Sequence, residues 1–248
     1  LVKQFDLAVD ERDPSILRRI ETRFMVHGSD GTWYGVTYRW RDDGTDADLL
    51  TNGLSEEIDV ITASGAERTQ TWSYPSRTDC LSCHNANSGF VLGVRTHQIN
   101  GDHTYSTTGR ADNQLRTWSH LGLFSSDIDE SVIDSYPRSV NLDDTSESLE
   151  TRVRSYLDSN CSQCHRPGQL ATSFDARYTT PLEAQNLING SVLYDLGVED
   201  ARVVVPQSIE RSVLHRRMSA LGLHQMPPLG RNQVDRDAVN AVQSWILS

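Results

Sequence analysis

Two copies of one pentapeptide constrain this chain more than any other feature. Residues 80–84 and residues 161–165 both follow the pattern Cys-x-x-Cys-His, and together they use all four cysteines of the chain. In c-type haem attachment the two thiols add across the haem vinyl groups, and the adjacent histidine becomes the proximal iron ligand. The sequence therefore predicts two covalently bound haem c groups. The attachment residues are Cys80, Cys83 and His84 in the first motif, and Cys161, Cys164 and His165 in the second.

Zinc binding and thiol–disulfide chemistry are the rival interpretations of paired cysteines. Structural zinc sites usually place their two cysteine pairs about 15–20 residues apart, whereas these pairs are much further apart, and zinc does not require a histidine after each pair. A thioredoxin-like motif does not usually recur with a histidine each time. A single chance occurrence of Cys-x-x-Cys-His in a chain of this length has a probability on the order of 0.001. Haem is therefore the favoured cofactor.

Composition limits the partners that such a chain can have. Only 37% of the 248 residues are hydrophobic, the mean hydropathy is −0.50, and no apolar run approaches the length of a membrane span. Acidic residues outnumber basic ones by 34 to 23, for a formal charge of −11. Nucleic acid and anionic membranes are therefore poor partners, and a protein with a basic or neutral docking face is easier to accommodate.

Alternating and helical patterns predict an α+β fold. Residues 20–75 contain short alternating runs separated by glycine turns, which predict a small β-sheet, and Asp13-Pro14 predicts the start of a short preceding helix through Ile20. Apolar residues at helical spacing predict one helix leading into Cys161 and another near the end of the chain. Residues 125–148 are rich in Ser and Asp and predict a linker. The predicted regions are a β-rich region at 1–75, a first haem-binding region at 76–135 and a second haem domain at 146–248.

Residues 146–248 resemble a class I cytochrome c. The resemblance comprises a helix, the second motif, Pro167 shortly after it, Met226 followed by two prolines, and a C-terminal helix containing Trp245. It implies that Met226 is the distal ligand of the second haem and that the Pro167 carbonyl accepts a hydrogen bond from the His165 ring. From the residues alone, Met218 is expected to lie in the core. His215 and His224 are expected to be polar surface residues.

The chain as a whole resembles a family of secreted bacterial dihaem modules, which are found fused to sugar-oxidising or carbohydrate-binding domains. The phrases that carry this resemblance span most of residues 20–248. They are residues 33–35, 38–40, 45–47, 74–77, 91–93, 113–117 and 120–124. The resemblance implies a periplasmic or secreted protein whose redox partners include a sugar dehydrogenase or a copper-dependent polysaccharide oxidase.

The distal ligand of the first haem is less constrained than its proximal one. No methionine lies between residues 26 and 217, so a histidine is favoured if the iron is six-coordinate. His120 lies in an apolar stretch and is the preferred candidate. His97, His103, an upstream group such as Met25 or His27, and an open position remain alternatives.

These features favour an electron-transfer protein over an enzyme. A His/Met haem normally has a higher potential than a bis-His haem, so electrons would run from the first haem to the second. The alternatives are a dihaem peroxidase with an open first haem and a gas or redox sensor. Both need an open iron position. Glu and Gln are sparse around the motifs, which weakens the peroxidase interpretation.

Overall fold

A computed structural model describes residues 1–126, 128–169 and 173–248 and shows a mixed α and β chain with an N-terminal antiparallel sheet and several helices. The strands are β1 (Val2–Ala8), β2 (Leu17–His27), β3 (Trp33–Trp40), β4 (Ala47–Leu50), β5 (Leu54–Ile61), β6 (Glu67–Tyr74), β7 (Asp102–Tyr105) and β8 (Arg110–Asn113). The α-helices are α1 (Arg77–Cys83), α2 (Thr96–Ile99), α3 (Gln114–His120), α4 (Leu149–Cys161), α5 (Val213–Ser219) and α6 (Arg236–Leu247).

The chain forms two compact units, and each unit contains one motif. The first unit comprises Leu1–Leu92 and Ala220–Val234, and the second comprises Gly93–Ser219 and Asp235–Ser248. These boundaries differ from the three predicted regions. The first motif falls within the same unit as the N-terminal strands, because helix α1 packs against strand β3.

The first unit is built on a four-stranded antiparallel sheet in the order β1-β2-β3-β4, accompanied by the hairpin β5-β6. The alternating runs predicted within residues 20–75 are confirmed as β3 and as the β5-β6 hairpin, which turns at Ser64-Gly65. Ile20, Ile58 and Tyr74 are buried at the centre of this unit. Strands β1 and β4 were not predicted, because their side chains are mostly exposed or half-buried and alternate only weakly.

The short helix predicted from Asp13-Pro14 through Ile20 is wrong. Asp13 instead forms a turn, in which its carboxylate accepts hydrogen bonds from the Ser15 amide at 3.1 Å and the Ser15 hydroxyl at 2.5 Å. The chain then enters β2 at Leu17, and β2 pairs with β1 over seven residues. Pairing with strand β1 therefore outweighs the local preference of Asp13-Pro14 for starting a helix.

The second unit has a helical core. Both predicted helices are confirmed as α4 and α6, and Ser148 and Asp235 cap their N-termini with side-chain oxygens. Leu214 and Met218 of α5 are buried in the same core, which confirms the expectation for Met218. The largest buried cluster of this unit is formed by residues of the three helices and the connecting chain, including Val153, Leu157, Leu187, Val204, Val242 and Ile246.

The segment predicted as a linker is partly structured. Residues 130–135 form a short 3-10 helix, and Ile133 within it is fully buried against Ile99 and Leu115. The segment is rich in Ser and Asp, but Ile133 anchors it, with Ile128 and Tyr136 packed beside the same cluster. None of the helices in the described part of the chain combines the length and apolar character that crossing a membrane requires.

Candidate functional site

The first motif lies on a short helix with a well-defined start. Ser76 caps α1 by accepting a hydrogen bond from the Asp79 amide at 3.3 Å, and the Asp79 carboxylate accepts one from the Ser76 amide at 2.9 Å. The His84 amide donates to the Cys80 carbonyl at 2.8 Å, so one helical turn links the first cysteine to the histidine. The Ser76-x-x-Asp79 spacing is the sequence signal for the start of this helix.

A backbone carbonyl fixes the ring of His84. Nδ1 of His84 lies 2.6 Å from the carbonyl oxygen of Phe90. Because a carbonyl can only accept, Nδ1 must carry the proton, and Nε2 keeps the lone pair that a metal needs. Burial lowers the pKa of His84, which favours the neutral form that can ligate iron.

The residues that hold Phe90 were missed by sequence reasoning. Phe90 adopts a left-handed backbone conformation with φ of 60° directly after Gly89, which is also left-handed. Its ring stacks on Trp33 with centroids 5.3 Å apart, and Trp33 also stacks on His27 at 4.6 Å. The carbonyl that orients the His84 ring is therefore positioned by the end of the β2-β3 hairpin.

A buried ion pair lies beside the first motif. The Glu21 carboxylate, which is fully buried, accepts hydrogen bonds from Trp72 at 3.0 Å and from Nε of Arg23 at 2.9 Å. Burial raises the pKa of the Cys80 thiol, and the positive charge of Arg23 opposes that shift. The first thiol is therefore held protonated next to a guanidinium group.

The second motif repeats the same local turn at the end of a longer helix. Helix α4 runs through Cys161, and the His165 amide donates to the Cys161 carbonyl at 2.8 Å. Burial raises the pKa of Cys161 to about 12, so its thiol is also protonated. Both motifs thus form the same hydrogen bond from the histidine amide to the carbonyl of the first cysteine. They differ in secondary structure, because Cys80 and Cys83 both lie within α1, whereas α4 ends at Cys161 and the rest of the second motif follows it as a turn.

The ring of His165 is half-buried and stacks on Phe174, with centroids 4.3 Å apart. Burial lowers its pKa to about 4, and the nearby Arg217 acts in the same direction. Its Nδ1 is buried and has no hydrogen-bond partner among the described residues. The predicted hydrogen bond to the Pro167 carbonyl is therefore not formed, since the ring is held against Phe174 instead.

A network around the buried carboxylate of Asp158 lies one helical turn before Cys161. Asp158 accepts hydrogen bonds from Nη1 of Arg95 at 3.0 Å, from Nε2 of His97 at 2.8 Å and from the Tyr178 amide at 3.0 Å. Its backbone carbonyl accepts from the hydroxyl of Ser162, a residue inside the motif, at 2.6 Å. Burial opposes ionisation of Asp158, but His97 and the other donors lower its pKa overall.

This network bears on the candidate ligands of the first haem. His97 is buried, its Nε2 is engaged by Asp158 and its ring stacks on Tyr178, so ligation through Nε2 would require the buried pair to break. His103 and His120 are exposed, the latter at the end of α3. All three histidines belong to the second unit, whereas His84 belongs to the first.

The remaining candidate ligands are divided between the units. Met25, His27, His224 and Met226 belong to the first unit, and Met218 and His215 belong to the second with His165. His224 is exposed, as expected, whereas His215 is half-buried and bonded to Gln243. Met226 is half-buried, and its carbonyl accepts a hydrogen bond from Arg231 at 2.7 Å. The pairings of His165 with Met226 and of His84 with His120 remain predictions.

Two observations on the described side chains bear on the choice between haem and zinc. A zinc site needs thiolates and imidazoles that converge on one point at about 2.0–2.3 Å. Neither unit has, among its described residues, a group of three or more His, Cys, Asp or Glu side chains able to hold one metal ion. None of the four cysteines, all within the described ranges, forms a disulfide. Haem attachment needs no such convergence, because the thiols bind the vinyl groups while the histidine binds the iron.

Comparisons of the chain with protein-family models, with curated proteins and with solved structures found no match.

Proposed function

We propose that this protein is a dihaem c-type cytochrome that transfers single electrons between extracytoplasmic redox partners. The observation that carries the proposal is that both Cys-x-x-Cys-His motifs form the same hydrogen bond from the histidine amide to the first cysteine carbonyl. In the first motif the Phe90 carbonyl also leaves Nε2 of His84 to bind a metal. The half-buried His165 ring, whose buried Nδ1 lacks a partner among the described residues, supports a ligand site at the second motif. Two bound haems would supply reversible one-electron oxidation and reduction.

The protein's own residues have distinct tasks in this proposal. Cys80, Cys83, Cys161 and Cys164 anchor the cofactors, and His84 and His165 are the proximal ligands. The carbonyl of Phe90 fixes the plane and tautomer of the His84 ring. Phe174 holds the His165 ring by stacking. The residues do no bond chemistry during electron transfer, so rigid positioning is their contribution.

The proposed distal ligands are His120 for the first haem and Met226 for the second. Among the three downstream histidines, His97 is disfavoured because the buried Asp158 engages its Nε2. A bis-His first haem and a His/Met second haem would make the first the electron donor to the second. The resemblance stated above suggests a sugar dehydrogenase or a copper-dependent polysaccharide oxidase as partner, and a periplasmic or secreted location.

Counting haems tests the proposal directly. We expect two haems c per chain by the pyridine haemochrome assay, because both motifs present the same turn. Replacing Cys161 and Cys164 together with Ala should leave one haem, and replacing Cys80 and Cys83 should leave the other. Wild-type protein that carries zinc instead of haem, or no haem at all, would refute the proposed function.

Replacing Met226 with Ala tests the distal ligand of the second haem. The ferric wild-type protein should show the weak near-infrared charge-transfer band that marks iron–sulfur ligation, and Met226→Ala should abolish it and lower the potential of that haem. Met218→Leu is the matched control, because Met218 is buried in the helical core and Leu conserves its volume. A band that survives Met226→Ala but is lost in Met218→Leu would transfer the assignment to Met218.

A further inference from the structure

Gly35 lies at the contact between strand β3 and the helix that carries the first motif. It is buried, and it pairs with Met25 of strand β2 in the sheet. Helix α1 packs against β3, which brings Cys80 over this position. The backbone of the strand and the first attachment thiol are therefore in direct contact.

The space above Gly35 does not accommodate a side chain. A Cβ atom built on Gly35 would lie 2.6 Å from Sγ of Cys80, 2.8 Å from Cβ of Cys80 and 3.6 Å from Cε of Met25. Favourable contacts between such atoms require about 3.5–4.0 Å. Rotating the Cys80 side chain could move Sγ away, but it cannot move Cβ. Even alanine would therefore force α1 to shift.

The thiol of Cys80 also forms a hydrogen bond within its own helix. Its Sγ lies 3.4 Å from the carbonyl oxygen of Ser76, the residue that caps α1. Contact with the strand on one side and this hydrogen bond on the other define where the sulfur lies. A displacement of α1 would change both.

We infer that Gly35 is a positioning residue for haem attachment at Cys80. The inference rests on the proposed function. In attachment the Sγ–H bond of Cys80 breaks, a C–S bond forms to the inner carbon of a haem vinyl group, and the hydrogen is added to the outer carbon. The addition needs no oxidant or reductant, so the position of the thiol relative to the vinyl group is what the protein must supply. Gly35 supplies it by allowing α1 to lie directly on the sheet.

The test is Gly35→Ala in the full chain, matured with haem and compared with wild type and with Gly101→Ala. Gly101 has no neighbouring atom within 4 Å of an added Cβ, so its substitution controls for loss of a glycine. Peptide mass mapping should show attachment at Cys80 reduced about tenfold or more in Gly35→Ala, with attachment at Cys161 and Cys164 unchanged. A merely global loss of stability would lower attachment at both motifs together.

The possible outcomes separate the inference from the proposed function. Wild-type attachment at Cys80 in Gly35→Ala would overturn it, and wild-type protein without haem would instead overturn the proposed function. If Gly35→Ala fails to accumulate, the double variant Gly35→Ala with Cys80→Gly, which removes both clashing atoms, should restore a folded chain with its first haem held through Cys83. Failure of that double variant would show that Gly35 acts through some other contact, and would overturn the inference.

Discussion

Replacing Asp158 with Ala should lower the free energy of unfolding of the second unit by about 3–5 kcal/mol, the usual cost of removing one partner from a buried ion pair. The side chain of Asp158 is fully buried, and it is the shared acceptor for Arg95, His97 and the Tyr178 amide. Its loss leaves a largely buried guanidinium and a buried imidazole without their acceptor. Urea denaturation followed by far-ultraviolet circular dichroism measures the change.

Asp158→Asn separates charge from hydrogen bonding at this position, because Asn keeps one acceptor oxygen. The pKa of Asp158 is lower in the folded protein than its usual value of 3.8, so its ionisation stabilises the fold above that pH and the contribution is lost as the pH falls below it. The stability difference between wild type and Asp158→Asn should therefore shrink in acid. Asp143→Ala, at an exposed aspartate, should change stability by no more than about 0.5 kcal/mol. A loss below about 1 kcal/mol in Asp158→Ala would contradict the buried network.

Reduced protein should pass its electrons rapidly to an oxidised cytochrome or copper-protein acceptor and should not turn over hydrogen peroxide. If both irons hold two protein ligands, peroxide has no position at which to bind. Irons with both axial positions occupied by protein ligands also change little in geometry between oxidation states, which favours fast outer-sphere electron transfer. Stopped-flow mixing of reduced protein with each oxidant separates the two activities.

The peroxide experiment has an internal control in His120→Ala, which should open the first haem if His120 is its distal ligand. This variant should then react faster with peroxide than wild type, while Met218→Leu should not. Saturable peroxide turnover by the wild type at tens per second, which is ordinary for enzymes, would refute electron transfer as the sole function and favour the peroxidase alternative.

The parts of the fold that were predictable from sequence are those where one face is buried. Strand β3 and the β5-β6 hairpin alternate clearly, and α4 and α6 carry apolar stripes that pack in the second core. The failures have particular causes. The turn at Asp13 resembles a helix start until β1 is available as a pairing partner for the residues that follow. Ile133 lies in a segment rich in Ser and Asp, so composition alone could not reveal that it is buried.

The candidate sites were predictable only where chemistry demands a fixed spacing. The Cys-x-x-Cys-His motifs are local, so their six residues were identified directly. Phe90 contributes its backbone carbonyl oxygen. Every residue type has this group, so the sequence cannot show which residue provides it. Asp158 meets Arg95 and His97 across more than sixty residues of chain. Contacts of this kind depend on the tertiary fold, and a single sequence gives no signal for them.

The bond between His84 and Phe90 limits how far the first motif can be transplanted. The imidazole is aligned by a carbonyl six residues away, and that carbonyl is held by Phe90 stacked on Trp33 at the start of strand β3. A host protein given only residues 80–84 would receive the two cysteines and the histidine but not the alignment of the imidazole ring. A functional graft would also need the loop through Phe90 and an aromatic platform beneath it. The unit that would have to be transferred therefore comprises the β2-β3 hairpin, helix α1 and the loop through Phe90. The pentapeptide alone is not sufficient.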